Sequence, residues 1–591
     1  MKILLEIWRL LDRRQRREAV LLQVVSMLMA LSTLGGIAAI LPFFSVLAEP
    51  HSIHRSAVLS FMYAQLHIRD ERAFSILLGL AFVLVVVVAN AVNLLGSRAI
   101  SRYAYSVGSH FGCRLFDEYL RRDYGFHARA DVSALASNVL FEAGRVTGGI
   151  LQNGLILMTN ATTIVLIVVS MVILNPMLAL CASVLLALSY SIIYVLARQK
   201  LLQNGRLESE FLVKRTRVVN ESLEAIKEIA VTQTQPFFLQ KFAQASEAIK
   251  HASVSTLTLA QSPKYVLETL TAAALVGFAL FLSGEKHAGV PWAAQLSFVG
   301  FAAFRLLPAL QQVFYAMAKM RADTPALSNV AADLRAARDR GSTSRPNDSE
   351  WRNRPTADVQ LRAVSFRYEA ALPFVISDVS LRIPAGAIVA IVGHNGAGKT
   401  ALADLILGLL LPQSGEIAVD GVVIDETNRH AWQSRVAYVP QNIVLLDTSV
   451  AENIALGFAD RDIDLPRLHE AARLARVDEF IDLLPERYAT KLGERGIRLS
   501  GGQRQRIGIA RALYRDASVL VLDEATSALD QAAEHEVVTA IDTLRGQRTI
   551  VVIAHTQSIL RNADLVFEVT KGSVACRGPG RELVALSRFA R

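Results

Sequence analysis

The chain has 591 residues, 52% of them apolar, and a mean hydropathy of +0.34, which is too hydrophobic for an ordinary soluble enzyme. Its net charge is +9, but no aromatic-interleaved basic patch accompanies that excess. No nucleic-acid partner is therefore expected, and anionic inner-leaflet lipids account for the charge.

Residues 1–18 alternate apolar Ile3, Leu4, Ile7, Trp8, Leu10 and Leu11 with Arg9, Arg13, Arg14, Arg16 and Arg17. No small-residue cleavage site follows, so the segment reads as an amphipathic helix on the inner membrane surface. A membrane domain, 19–330, comes next, with apolar spans near 20–47, 74–96, 150–174, 177–197, 265–283 and 293–316. Six runs of this length argue for membrane crossing over buried core helices. The third and fourth are split only by Asn175-Pro176, a tight turn, and Pro42 and Pro308 should kink the first and sixth.

An even number of spans returns the chain to its starting side. Arg98, Arg102, Arg145, Arg198 and Lys200 flank the inner ends, whereas Arg55, Arg69 and Arg72 stand in the first outer loop. Orientation therefore rests on the second half of the chain. The segments 97–148 and 198–264 are polar and far longer than turns, so the spans should continue inward, with tips near 126–136 and 222–232. A linker, 331–357, is rich in Gly, Ser, Asn, Asp and Arg over 340–355. Cys113, Cys181 and Cys576 have no metal-ligand spacing and read as bystanders.

The remainder, 358–591, carries five nucleotide-handling motifs in order. Gly393-His394-Asn395-Gly396-Ala397-Gly398-Lys399-Thr400 fits the phosphate-loop pattern between an apolar strand, 388–392, and a helix. Its glycines let backbone N–H groups turn inward around phosphates, and the helix N-terminus adds positive potential. Lys399 should reach the β- and γ-phosphates, and the Thr400 hydroxyl should ligate Mg²⁺. Leu499-Ser500-Gly501-Gly502-Gln503 follows. The strand 519–522 ends in Asp523, suited to metal contact, and Glu524, placed to polarise an attacking water as general base. A helix N-cap is the bland alternative for such a carboxylate pair. Ser527-Ala528-Leu529-Asp530 and then His555, after the strand 549–554, complete the series.

These motifs, Leu499–Gln503 above all, resemble the signature set of the ATP-binding cassette family, and a membrane domain fused ahead of the cassette resembles its exporters. The resemblance implies a polytopic α-helical membrane domain of six spans followed by an α/β P-loop ATPase domain with a helical subdomain. It implies ATP and Mg²⁺ as cofactors and a multi-pass protein of the plasma (inner) membrane with its ATPase in the cytoplasm. Gln441 resembles the Q-loop residue that senses the γ-phosphate and metal, His555 the switch histidine, and Tyr368 the aromatic that stacks on adenine. Gly493-Glu494-Arg495-Gly496 resembles the loop that meets the inner tips of exporter spans. In the family, Ser500, Gly501, Gly502 and Gln503 of one cassette complete the site around ATP held by Lys399 of another. That implies a second half-transporter as partner, a homodimer or a heterodimer with a degenerate mate.

Cargo is sought among polar residues inside the spans. Glu268 and Arg305 lie at depths of roughly 21 and 18 Å from the outer ends of the fifth and sixth spans at 1.5 Å per residue. They read either as a structural ion pair or as the wall of a positive cavity for an anionic headgroup. Residues 263–268 and 303–308, with 36–43, 226–229 and a short outer helix at 56–66, resemble bacterial lipid-linked oligosaccharide flippases. That likeness implies a membrane lipid or lipid-linked glycan as cargo. The alternatives are a peptide, siderophore or hydrophobic drug, or a nucleotide-gated membrane protein that does not pump.

Overall fold

The computed structural model describes residues 2–48, 57–65, 71–174, 176–284, 292–340, 357–493, 496, 499–525, 531–554 and 556–585. They fall into two compact units, Met1–Arg122 with Arg129–Thr343, and Asp123–Ala128 with Ser344–Arg591.

The first unit is all helical. The amphipathic segment is shorter than expected: its helix spans Lys2–Leu10, and a second helix starts at Arg13. Asp12 makes the break, its N–H donating to Gln15 Oε1 at 3.0 Å. The Arg16 guanidinium reaches back to the carbonyls of Trp8 (2.9 Å) and Arg9 (3.2 Å), capping the open C-terminal end of the first helix with positive charge. Pro42 acts as its sequence position suggests. The helix Arg13–Ala38 stops and restarts as Ile40–Ala48, because Pro42 cannot donate to the carbonyl of Ala38. A short helix, Ala57–Gln65, occupies the expected outer segment.

Three helical runs among the described residues, Arg13–Leu47, Glu71–Leu120 and Val132–Ile173, are long and apolar enough to cross a membrane. The helices Glu71–Leu120, Pro176–Glu224 and Gln235–Gly284 contain 50, 49 and 50 residues. At 1.5 Å per residue each is about 75 Å long, against a hydrocarbon core of about 30 Å, so much of each must project beyond it. The helix Trp292–Ala322 covers the residues expected to make the sixth span, and Thr324–Arg340 continues after a break at Asp323.

That break is locked by charge. Asp323 is fully buried and accepts from Arg145 at 3.0 Å, with Lys319 at 3.1 Å. Arg145 also reaches Glu142 (3.2 Å), Glu208 (3.5 Å) and Ser209 Oγ (2.7 Å), tying three helices together. Two glycines permit the approach. A Cβ on Gly149 would fall 1.9 Å from Asp323 Oδ2, and one on Gly205 would fall 1.7 Å from the Ala322 carbonyl oxygen. Around Gly149 the helix widens into π turns at Asn138–Glu142 and Arg145–Gln152. The Asn153 side chain donates to the carbonyls of Gly148 and Gly149 at 2.8 and 3.1 Å, which satisfies acceptors that the wider turns release.

The second unit is built on two sheets. Strands β1 (Val359–Phe366), β2 (Ile376–Ile383), β4 (Ser414–Val419) and β5 (Val422–Val423) form an antiparallel sheet in the order β2-β1-β4-β5. Strands β3 (Ile388–Gly393), β6 (Val436–Val439), β7 (Val519–Asp523), β8 (Thr549–Ile553), β9 (Leu565–Thr570) and β10 (Ser573–Gly578) form the other, in the order β10-β9-β3-β8-β7-β6. All of its pairs are parallel except β9–β10. β7 and β8 are buried along their whole length, as central strands covered on both faces must be, which is why they read as unbroken apolar runs. One core joins the outward faces of β3, β7 and β8 to helices such as Leu465–Leu474 and Gly501–Tyr514, and a second lies between the two sheets and the phosphate-loop helix.

The short helix Tyr124–His127 belongs to this second unit, where Asp123 forms an ion pair with Arg429. A Cβ on Gly125 would sit 3.8 Å from Leu410. Of the expected first inner tip, 126–136, residues 126–128 thus belong to the second unit and the rest to the first. The segment expected to be the second tip, 222–232, contains the helix Ile226–Thr232 of the first unit, with Ile226 and Val231 exposed at 52% and 84%.

Candidate nucleotide site

Parallel strands point their C-terminal ends at one edge of the β3–β8–β7–β6 sheet, where ligands of open α/β folds bind. The phosphate loop leaves β3 there, Gln441 follows β6, and Asp523 and Glu524 end β7.

Within the loop, Gly393, Gly396 and Gly398 have φ of +151°, +78° and +109°. Gly398 must also be glycine for space, since a Cβ would lie 2.9 Å from the Val375 carbonyl oxygen, while Gly393 would meet Val569 O at 2.3 Å. Gly396 has open space beside it, as a backbone that a ligand approaches closely requires. Asn395 is exposed on the loop. Lys399, 6% exposed, donates from Nζ to the carbonyls of Gly393 (2.9 Å) and His394 (3.2 Å). The ammonium thus lies at the loop's mouth and folds the loop around itself. Thr400 is exposed at the first turn of the helix Lys399–Ile406.

The Gln441 amide donates to Glu524 Oε2 at 2.7 Å. Glu524 itself has φ of +48°, a left-handed backbone rare outside glycine, and its N–H donates to the Ile553 carbonyl at 3.2 Å. Such a conformation persists only when its surroundings hold it, and here it aims the carboxylate back across the sheet edge toward Gln441. Tyr438 donates to Asp523 Oδ2 at 3.2 Å. Burial, then the adjacent Asp523 carboxylate, push the Tyr438 phenol above its ordinary range, so it stays a donor.

Ser500 is the N-cap of the signature helix Gly501–Tyr514. Its hydroxyl accepts from the Gln503 N–H at 3.2 Å, and Gln503 Oε1 accepts from the Ser500 N–H at 2.9 Å, a reciprocal capping box. Gly501 and Gly502, half-buried, form the first turn. Four residues on from Gly501, buried Gln505 donates to the Glu524 carbonyl at 3.4 Å, so the signature helix is anchored beside the candidate base.

Tyr368 stands after β1, 37% exposed, with Phe366 edge-on to it at 5.1 Å. His555, Ser527–Asp530, Glu494 and Arg495 lie outside the described residues. In the first unit Glu268 has Lys264, one turn away on its own helix, at 3.9 Å; the side chain of Arg305 lies outside the described residues.

Two contributors were not singled out from the sequence. Gln505 is one. The other is Asp404, 5% exposed on the phosphate-loop helix, whose carboxyl is pushed up to about 6 by burial and then by Asp523. The available signal was a lone carboxylate in the apolar run 401–411.

A phosphate loop, a carboxylate pair and a capped signature helix on one parallel sheet define a cassette ATPase, joined in the same chain to a long-helix membrane unit. Residues 376–527 match the ABC transporter family and 18–291 the ABC transporter transmembrane region. The chain is 32% identical over 476 residues to the ATP-dependent lipid A-core flippase of Methylococcus capsulatus, covering 80% of this chain and 77% of that one. It is 29% identical over 481 residues to the protein of that name in Cupriavidus pinatubonensis, covering 80% and 79%. In fold it is similar to a bacterial Atm1-family ABC exporter solved with ATP bound, with a TM-score of 0.76, 21% identity and coverage of 98% and 97%.

The chain belongs to the ABC transporters, as an exporter-type half-transporter whose ATPase drives transport. A half-transporter of this fold acts as a dimer.

Proposed function

We propose that two copies of this chain form a homodimeric flippase in the plasma (inner) membrane, moving a lipid-linked glycan out of the cytoplasmic leaflet. The observation that carries the cargo class is the similarity along 80% of the chain, membrane unit included, to proteins named lipid A-core flippases. The homodimer reading rests on one chain carrying a phosphate loop, a signature and a Gln441-held Glu524 together. Two identical halves would then make two competent sites. Val231, 84% exposed on an inner tip, is the kind of apolar side chain that a second copy would cover.

The donor set fits a small hard cation. Thr400 Oγ1, the Gln441 amide oxygen and the Asp523 carboxylate are oxygen ligands, and Mg²⁺ held there would neutralise charge on the β- and γ-phosphates. Lys399 would turn from the loop carbonyls to the phosphates, Tyr368 would stack on adenine, and Ser500, Gly501, Gly502 and Gln503 would close over ATP held by the other copy. Glu524 would take the proton of the attacking water, with His555 holding water and γ-phosphate. Glu268 and Arg305 are the residues proposed to meet the anionic part of the cargo.

The test is ATP-dependent flipping of fluorescent lipid A-core in proteoliposomes, with Glu524→Gln as the dead control. General-base loss should lower hydrolysis by about 10²-fold or more while ATP still binds. Normal turnover in Glu524→Gln would remove Glu524 from the reaction. No flipping with ATPase intact would shift the cargo to peptides, siderophores or hydrophobic drugs.

A further inference from the structure

We propose that a cavity between the helices Pro176–Glu224, Gln235–Gly284 and Trp292–Ala322 binds sugar rings of the cargo, an inference that rests on the lipid-linked glycan reading. The cavity holds about 350 Å³, within the roughly 300–1,000 Å³ of small-ligand sites.

Its walls repeat one device. Gln261 and Tyr265 line it from one helix, Gln311 and Tyr315 from another. Each pair is spaced i, i+4, so on each helix an amide and a phenol ring share one face a turn apart. Tyr190 comes from the third helix and packs on buried Phe314, ring centroids 5.6 Å apart, to make an aromatic floor. Pro263 lies between the members of the first pair. It cannot donate to the Leu259 carbonyl, which instead accepts from Ser262 Oγ at 3.4 Å, so the helix stays continuous past the cavity.

The polar groups are uncommitted. Among the described residues the side chains of exposed Gln261 and Gln312 and of half-buried Gln311 make no hydrogen bond within the protein, and the Tyr190 hydroxyl is shut from solvent without a partner. By the sequence these residues stand at the inner ends of the spans 265–283 and 293–316, with Tyr190 about two turns inside 177–197. That level is the depth of a cytoplasmic-leaflet headgroup, at the membrane interface, where polar amides are solvated and free to meet a polar ligand.

The mixture selects a ligand class. Each amide offers two donors and two lone pairs, and each phenol both donates and accepts. Sugar hydroxyls likewise do both, and the C–H faces of sugar rings pack on aromatic faces. An anion site would show several cations, but Lys264 is the one charged residue of the described lining, and it has Glu268 at 3.9 Å. An apolar drug would leave three amides unpaired, at a cost for each.

The test measures binding of two probes, lipid A-core and lipid A lacking core sugars, to the full chain in nanodiscs. Wild type should hold lipid A-core about tenfold tighter, the equivalent of one or two net hydrogen bonds. The double variant Gln311→Ala/Gln312→Ala should bind both probes equally, at wild-type affinity for core-free lipid A, which also reports intact folding. Gln261→Ala with Tyr265→Phe is the second variant, should the first lose core-free binding. Variants that keep the preference overturn the sugar site. A wild type that flips lipid A-core without preferring it overturns the sugar site and leaves the cargo reading standing. A wild type that binds neither probe overturns both.

Discussion

Asp404 offers the sharpest quantitative test. Its carboxyl is 5% exposed, makes no side-chain hydrogen bond among the described residues, and feels the Asp523 carboxylate. Burial first, then Asp523, raise it from 3.8 to about 6. Below about pH 4 the carboxyl is protonated both folded and unfolded. Between about pH 4 and 6 the folded chain keeps a proton that the unfolded chain has lost, so stability falls as pH rises across that window. Above about pH 6 the full penalty applies. Roughly two units at about 1.4 kcal/mol each is about 3 kcal/mol, and partial solvent screening brings it to about 1–2 kcal/mol. Asp404→Asn removes the charge at nearly constant shape. In the nucleotide- and magnesium-free protein it should raise the cassette's thermal transition by about 3–6 °C at pH 7.5, and by progressively less toward pH 4. A variant less stable than wild type at pH 7.5, or a gain that does not change with pH, would refute the reasoning.

Lys399→Ala should weaken ATP binding at least about tenfold, read by titration with a fluorescent ATP analogue, because the loop loses its one buried ammonium. Arg145→Ala leaves buried Glu142 and Asp323 without their shared guanidinium and should cost about 3–5 kcal/mol, seen as lost folded yield in detergent. The triple variant Arg145→Met/Glu142→Gln/Asp323→Asn should recover most of that yield, and failure to recover would make the cluster more than a charge balance. Ser500→Asp should preserve the helix cap and the cassette's thermal transition but abolish hydrolysis, since a carboxylate caps as well as serine yet repels a phosphate. Ser500→Ala, by contrast, should cost about 1 kcal/mol of stability as well.

The nucleotide site was legible because its motifs encode local backbone requirements. Positive φ at Gly396 and Gly398, an N-cap with Gln three residues on at Ser500, and a fully buried strand before Asp523 are each written in a few consecutive residues. The spans expected near 20–47, 74–96 and 150–174 were legible for the same reason, apolar length being a local property, and among the described residues each falls in a helical run long and apolar enough to cross a membrane. Helix ends were less so. The break at Leu11-Asp12 splits a periodic pattern that runs on to Arg17, and it becomes visible only when Asp12 is seen engaging Gln15, His110 and Arg114.

What stayed hidden depends on partners far apart in the chain. Gly205 reads as a tolerated glycine in a helix until the Ala322 carbonyl, more than a hundred residues on, is found where its Cβ would be. Gln505 reads as a polar residue on an amphipathic helix until the Glu524 carbonyl accepts its amide. The two Gln–Tyr pairs fall between these cases. Their i, i+4 spacing is readable, but on one helix it means only a polar stripe. It acquires chemical meaning when a second helix brings an identical stripe to the same 350 Å³ of space. A motif confined to one segment can announce chemistry carried by the backbone, whereas a site divided among three helices is specified only by the packing that closes it.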